Sequence, residues 1–161
     1  MTPRPDPDAL GFVLIDAARL LRAAFERRIA GAGLGITPGE ARALVHAAAL
    51  DGSRQLDIAQ RMGIEPMTLS TYLDRLQSLG FVERRPDPAD RRARLIFTTP
   101  AAEALIRDVR VEQVELMTQV TAGITADDRE RVRESLKRMR ANLRAIEEDQ
   151  QALSVARESS R

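Results

Sequence analysis

The chain of 161 residues carries 25 basic and 24 acidic residues for a net charge of +1, with no cysteine and a single histidine, His46. The absence of thiols excludes disulfides, cysteine nucleophiles and thiol redox sensing, and one imidazole leaves little for a metal site, so neither a metal nor a cofactor is expected. Aromatic residues are 3% of the chain, so a core must be built from Leu, Ile, Val, Met and Ala, a composition suited to close-packed helices.

That length allows one domain with a substantial core, or one small domain extended by dimerisation helices, and the second reading is favoured. The apolar run from Ala9 to Ile15 is broken by Asp16 and preceded by Asp6 and Asp8. It is neither a signal peptide nor a membrane span, so a cytoplasmic protein without a membrane partner is expected.

Taken in chain order, the first helix is predicted to start near Asp6-Pro7-Asp8, an acidic cap followed by proline. Its apolar residues Leu10, Leu14, Ala17, Leu21, Phe25 and Ile29 recur at steps of three and four, and Gly31 to Gly35 ends it. Thr37-Pro38-Gly39-Glu40 is a capping box opening a second helix that runs to about Leu50. A short helix around Leu56, Ile58, Ala59 and Met62 stops at Gly63, and Pro66 opens another through Leu69, Leu73, Leu76 and Leu79. Two extended stretches, Phe81 to Arg85 and Ala93 to Thr98, flank the turn-rich Pro86 to Arg92 and read as a β-hairpin with a basic tip. Thr99-Pro100 then starts a long helix. A last helix, capped near Thr125, carries Val132, Leu136, Met139, Leu143, Ile146 and Leu153 at the heptad spacing of a packing seam. The chain after about Ala152 is expected to be unstructured.

The segment from Ala59 to Leu69 has what a helix-turn-helix needs: a small residue where the helices cross, a glycine for the left-handed turn, and a leucine to plug the second helix into the first. Two strands with an arginine-rich loop directly after such a pair make a winged helix, whose second helix enters the major groove while the wing approaches the backbone and minor groove. With Leu69, Tyr72, Leu73, Leu76 and Leu79 turned inward, the outward residues are Met67, Thr68, Ser70, Thr71, Asp74 and Arg75. Hydroxyls near the helix start suit base edges or phosphates, and Arg75 a guanine or a phosphate. Each of these hydroxyl residues taken alone also fits plain solvated surface. The wing holds five arginines (Arg84, Arg85, Arg91, Arg92, Arg94) against Asp87 and Asp90, an interleaving suited to holding a guanidinium in a fixed pose.

From Leu34 to Leu105 the chain resembles the multiple antibiotic resistance regulator (MarR) family. The resemblance rests on Leu34-Gly35-Ile36-Thr37, Gly63 to Leu69, Leu73-Asp74-Arg75-Leu76, Gly80 to Arg85 and, most specifically, the wing Asp87-Pro88-Ala89-Asp90-Arg91-Arg92. Thr98-Thr99 and Ala102 depart from the family's Leu-Thr and following Gly, which touches local geometry at the start of the long helix. The resemblance implies a mainly α fold with a small β-hairpin wing. The winged helix-turn-helix lobe would span 36–99, dimerisation helices 6–33 and 100–152, and a disordered tail 153–161. It implies an obligate homodimer joined through the first helix and the last two, where Leu10, Leu14, Leu21, Leu116, Val120, Leu136, Met139, Leu143 and Ile146 supply the interface. Met67, Thr68, Ser70, Thr71, Arg75, Arg91, Arg92 and Arg94 would contact double-stranded DNA at a palindromic operator, with Asp87 and Asp90 ordering the wing. The function implied is transcriptional repression relieved by a small aromatic or anionic effector, for which Arg42, His46, Arg19 and Arg22 are the nearest basic groups. His46 equally suits a hydrogen bond at the edge of a core. The competing reading is a winged helix used for protein contacts or non-specific DNA binding. An enzyme is not expected, since the sequence offers no nucleophile with a base and no phosphate-binding glycine loop.

Overall fold

A computed structural model of the chain describes Arg4 and residues 6–158. The order of elements is α1 (Leu10–Gly31), α2 (Pro38–Ala49), β1 (Ser53–Arg54), α3 (Gln55–Met62), α4 (Pro66–Ser78), β2 (Val82–Pro86), β3 (Arg94–Thr98), α5 (Glu103–Val120) and α6 (Ala126–Glu158). The fold is mainly helical with a small antiparallel sheet, and the chain divides into two compact units, residues 1–117 and 118–161.

In the first unit, helix boundaries follow local chemistry. Thr37 accepts from the Glu40 amide at 3.2 Å while the Glu40 carboxylate accepts from the Thr37 amide at 2.8 Å, so the capping box satisfies two amides that α2 cannot. Gly63 stops α3 with φ at 64°, a left-handed conformation that glycine adopts at no steric cost. At α1 the expected cap is displaced. Asp6 instead closes a turn, its carboxylate taking the Asp8 amide at 2.9 Å and its carbonyl the Ala9 amide at 3.2 Å, and the helix starts on an Ala9 cap without side-chain help. Pro7 sits inside that tight turn, ahead of the helix rather than in its first position.

The core is formed by Phe25 and Ile29 of α1, Leu44 of α2, Ile58 and Met62 of α3, Leu69, Leu73 and Leu76 of α4, Val82 and Ile96 of the sheet, and Leu105, Val109 and Leu116 of α5. Each fully buried aliphatic side chain contributes about 1.5–3 kcal/mol of transfer free energy. Two expectations change here. Leu116 is buried in this core and so is not offered to a second chain as the apolar stripe suggested, while Leu21 packs against the core with its side chain half-covered. Leu56, expected at the centre of α3, is largely exposed.

The sheet has the order β1-β3-β2, with Val82 opposite Thr98 and Pro86 opposite Arg94 in the hairpin. β1 is new relative to the sequence reading: Ser53 and Arg54 pair with Ile96 and Leu95, and two residues are too few to show any alternation. Thr98 is held from outside the sheet, its amide and hydroxyl both donating to the Asp51 carboxylate. A single 3₁₀ turn, Pro100–Ala102, precedes α5, and Thr99 donates to the Gly80 carbonyl at 2.6 Å.

The second unit is dominated by α6. Thr125 accepts from the Asp128 amide at 3.1 Å, and Glu130 with Arg133 and Glu134 with Lys137 make exposed pairs one turn apart. The heptad residues Val132, Leu136, Leu143, Ile146 and Leu153 are exposed. The helix continues to Glu158, beyond the point at which an unstructured tail was expected; no Pro or Gly interrupts it there, and residues 159–161 of that tail lie outside the described residues.

Candidate nucleic-acid interface

Helix α4 begins at Pro66 without a side-chain cap, leaving the amides of its first turn unclaimed by any cap. Leu69, Leu73 and Leu76 are fully buried, which turns Met67, Thr68, Thr71, Asp74 and Arg75 to solvent. Met67 is 78% exposed at the helix start. The Thr71 hydroxyl donates to the Met67 carbonyl at 3.2 Å, leaving its oxygen lone pairs to accept. Ser70 lies half-buried on the flank of α4 facing β2, where Arg84 reaches its carbonyl. Arg75 lies on another flank, beside Glu40 and the 33–37 loop.

Two carboxylates shape the wing between β2 and β3. Asp87 is 7% exposed; it accepts from the Ala89 amide at 2.8 Å and from Arg54 at 2.7 Å. The Ala89 amide first, and Arg54 after it, hold the Asp87 carboxyl below the usual carboxylate range against the opposing effect of burial. Asp90 accepts from the Arg92 amide at 3.0 Å while its carbonyl takes the Ala93 amide. The five wing arginines divide by what they touch. Arg84 pairs with Asp74 at 2.7 Å, and Arg85 pairs with Glu83 and lies 4.2 Å from the centre of the Phe97 ring. Arg91 and Arg92 are exposed, and among the described residues neither guanidinium has an acidic partner. Arg94, also exposed, makes one long contact to the Arg91 carbonyl. A groove runs between the wing and the starts of α3 and α4, with Arg54, Arg92 and Arg94 along it.

The MarR family profile matches residues 36–93. The transcriptional regulator PA3341, of known crystal structure, is 35% identical, with 84% of this chain and 98% of that one covered and a TM-score of 0.69. The chain belongs to the MarR family. A MarR-family regulator from Silicibacter pomeroyi has a TM-score of 0.73 at 26% identity, covering 83% of this chain and 89% of that one. The uncharacterized HTH-type transcriptional regulator YdgJ of Bacillus subtilis (strain 168) is 30% identical over 97 residues, which is 60% of this chain and 59% of YdgJ. As a MarR-family member the chain is a transcriptional regulator and not an enzyme.

The basic groups singled out for an effector are only partly brought together in this MarR chain. Arg42 donates to the Met62 carbonyl at 3.1 Å, tying α2 to the C-terminus of α3. Burial, then Arg22, lowers the Arg42 pKa, with Glu26 opposing. Burial, then Arg42 and Arg61, likewise lowers that of His46. Arg42 therefore lies near Arg22, and His46 near Arg42 and Arg61, so these cations gather about an imidazole that they and burial favour in its neutral form; Arg61 joins them without any signal in the sequence. Arg19 instead pairs with Asp16 on the exposed surface of α1 at 2.5 Å. Sequence reasoning also missed Arg54 and the contacts of Arg84, whose partners lie 33 residues away in one case and seven to 14 in the other.

Among the described residues no helix is long and apolar enough to cross a membrane, and no group of three His, Asp or Glu is placed to hold a metal ion.

Proposed function

We propose that the chain represses transcription by binding double-stranded DNA at a palindromic operator as a homodimer. Each copy lays α4 in the major groove through Met67, Thr68, Ser70, Thr71 and Arg75, and sets Arg91, Arg92 and Arg94 of the wing against the minor groove and backbone. The observation that carries this reading is the contrast inside the wing: its backbone is pinned by Asp87 and Asp90, while Arg91 and Arg92 extend without acidic partners among the described residues. Cations on an already ordered loop lose little further entropy when phosphates arrive.

Dimerisation is supported by apolar faces that each unit leaves exposed: Leu10 on α1, Val120 at the end of α5, and Leu136, Leu143 and Ile146 on α6, with Leu14 and Met139 half-covered. Residues 36–99 form the reading lobe, and segments 6–33 and 100–152 the dimerisation helices. The protein works in the cytoplasm. A small aromatic or anionic effector releases it from DNA, attracted by Arg22 and Arg42 with the His46 imidazole beside Arg42 as a hydrogen-bonding group, and acts by favouring one spacing of the two α4 helices over another. Selection of bound fragments from random duplex DNA, followed by footprinting, tests the reading. Two protected half-sites related by a dyad, centred about 10 bp apart or a multiple of that, are expected. A footprint without dyad symmetry contradicts the dimeric operator.

A further inference from the structure

The arginine that sequence groups with the rest of the basic wing, Arg84, points away from the wing tip. From β2 its guanidinium reaches three acceptors on α4: Asp74 Oδ1 at 2.7 Å, Gln77 Oε1 at 2.8 Å and the Ser70 carbonyl at 3.3 Å. Residues 70, 74 and 77 follow the four-then-three spacing of a single helix face, so one planar fork of donors spans two turns of α4. Arg84 is the shielded member, its side chain 18% exposed, while Asp74 is 66% exposed. Asp74 is also the one acidic residue in α4, and a bare carboxylate there would repel the phosphates on either side of a major groove.

We infer that Arg84 is a positioning residue: it clasps the wing to the recognition helix and neutralises Asp74, without touching DNA itself. β2 is hydrogen-bonded to β3 along the whole hairpin, so fixing Arg84 on α4 fixes the distance between the helix that enters the major groove and the loop bearing Arg91 and Arg92. This inference rests on the DNA-binding reading above. Its physical basis is distinct from that of Arg91 and Arg92, because a guanidinium already paired with a protein carboxylate and turned onto α4 neutralises no phosphate and so releases no counterion from DNA.

The test compares full-length wild type, Arg84→Gln, Asp74→Asn and the double variant. Each is titrated over a salt series with the duplex that wild type selects from random-sequence DNA, and with a random duplex as reference. Backbone amide exchange is measured on the DNA-free proteins. Arg84→Gln is expected to weaken operator binding about tenfold, within the range for groups coupled in one network, with the slope of log K against log salt unchanged. In the Asp74→Asn background the same change is expected to cost less, since no uncompensated carboxylate remains and only the contacts to Gln77 and Ser70 are lost. Amide protection in α4 and β2 should fall in Arg84→Gln. A slope reduced by about 0.9, with a loss equally large in the Asp74→Asn background, would make Arg84 a phosphate contact and overturn the inference. Unchanged amide protection overturns the clasp whether or not DNA binds. If wild type fails to distinguish its selected duplex from the random one, the DNA-binding reading fails, and the exchange data still decide the clasp.

Discussion

Arg91 and Arg92 stand on a loop whose shape is set by two carboxylates and not by the arginines themselves. Replacing either with alanine therefore removes a cation and leaves the wing standing. Operator affinity should fall, and the salt slope should flatten by about 0.9 for each phosphate that is no longer neutralised, as read by anisotropy titrations over a salt series; unchanged affinity in both variants removes the wing from binding. Asp87 gives the complementary case. Its carboxyl is held low in the folded protein, so the stability it contributes is present above the ordinary Asp value and is lost as pH falls through and below about 3.9. His46 also has a lowered pKa, caused first by burial and then by Arg42 and Arg61. The unfolded chain then binds the proton more readily, and stability should decline as pH falls below about 6.5. Denaturation midpoints at neutral and mildly acidic pH, compared between wild type and His46→Gln, check this: the variant should show the smaller drop, and an equal drop would assign the pH dependence to other groups.

At the scale of the element, what was legible in the sequence was what is local in the chain. The box of Thr37 and Glu40 closes within three residues and is present in full. Thr37→Ala should cost about 1 kcal/mol of stability, measurable by chemical denaturation, and no change would mean that tertiary contacts alone hold the start of α2. Gly63, Pro66 and the three-to-four spacing of leucines along α4 were equally readable, because a turn or a helix face is encoded by its own neighbours. The pairings that couple elements were not. Arg54 meets Asp87 across 33 residues and Thr98 meets Asp51 across 47, with no spacing rule to join them. The Thr98 contact also gives a physical role to one departure from the family pattern, since a leucine there could not bond the Asp51 carboxylate through its side chain. Leu116 shows the reverse failure: periodicity reveals that a helix has an apolar face but not whether that face is covered by the same chain or by another. Asp6 is ambiguous in sequence because Asp-Pro opens a turn as readily as a helix.

For the whole molecule, the exposed apolar residues of α6 carry the weight of the dimer proposal. Leu136→Glu or Leu143→Glu would place a charge in that seam, where burial without a partner is strongly unfavourable. Both side chains are exposed in the single chain, so the lobe of residues 36–99 should stay folded while sedimentation shows monomers; a full dimer in both variants would put the interface elsewhere. Operator affinity should fall with the dimer, because each copy alone reads only half a site. The central claim, that a dimer of this chain reads a defined DNA sequence, is tested most directly by the ratio of its affinities for the selected duplex and for a random duplex of the same length, measured at one fixed salt concentration. A ratio on the order of 10³ or more is expected for a sequence-specific regulator, and a ratio near one would contradict it, leaving a basic winged helix that binds DNA without reading it.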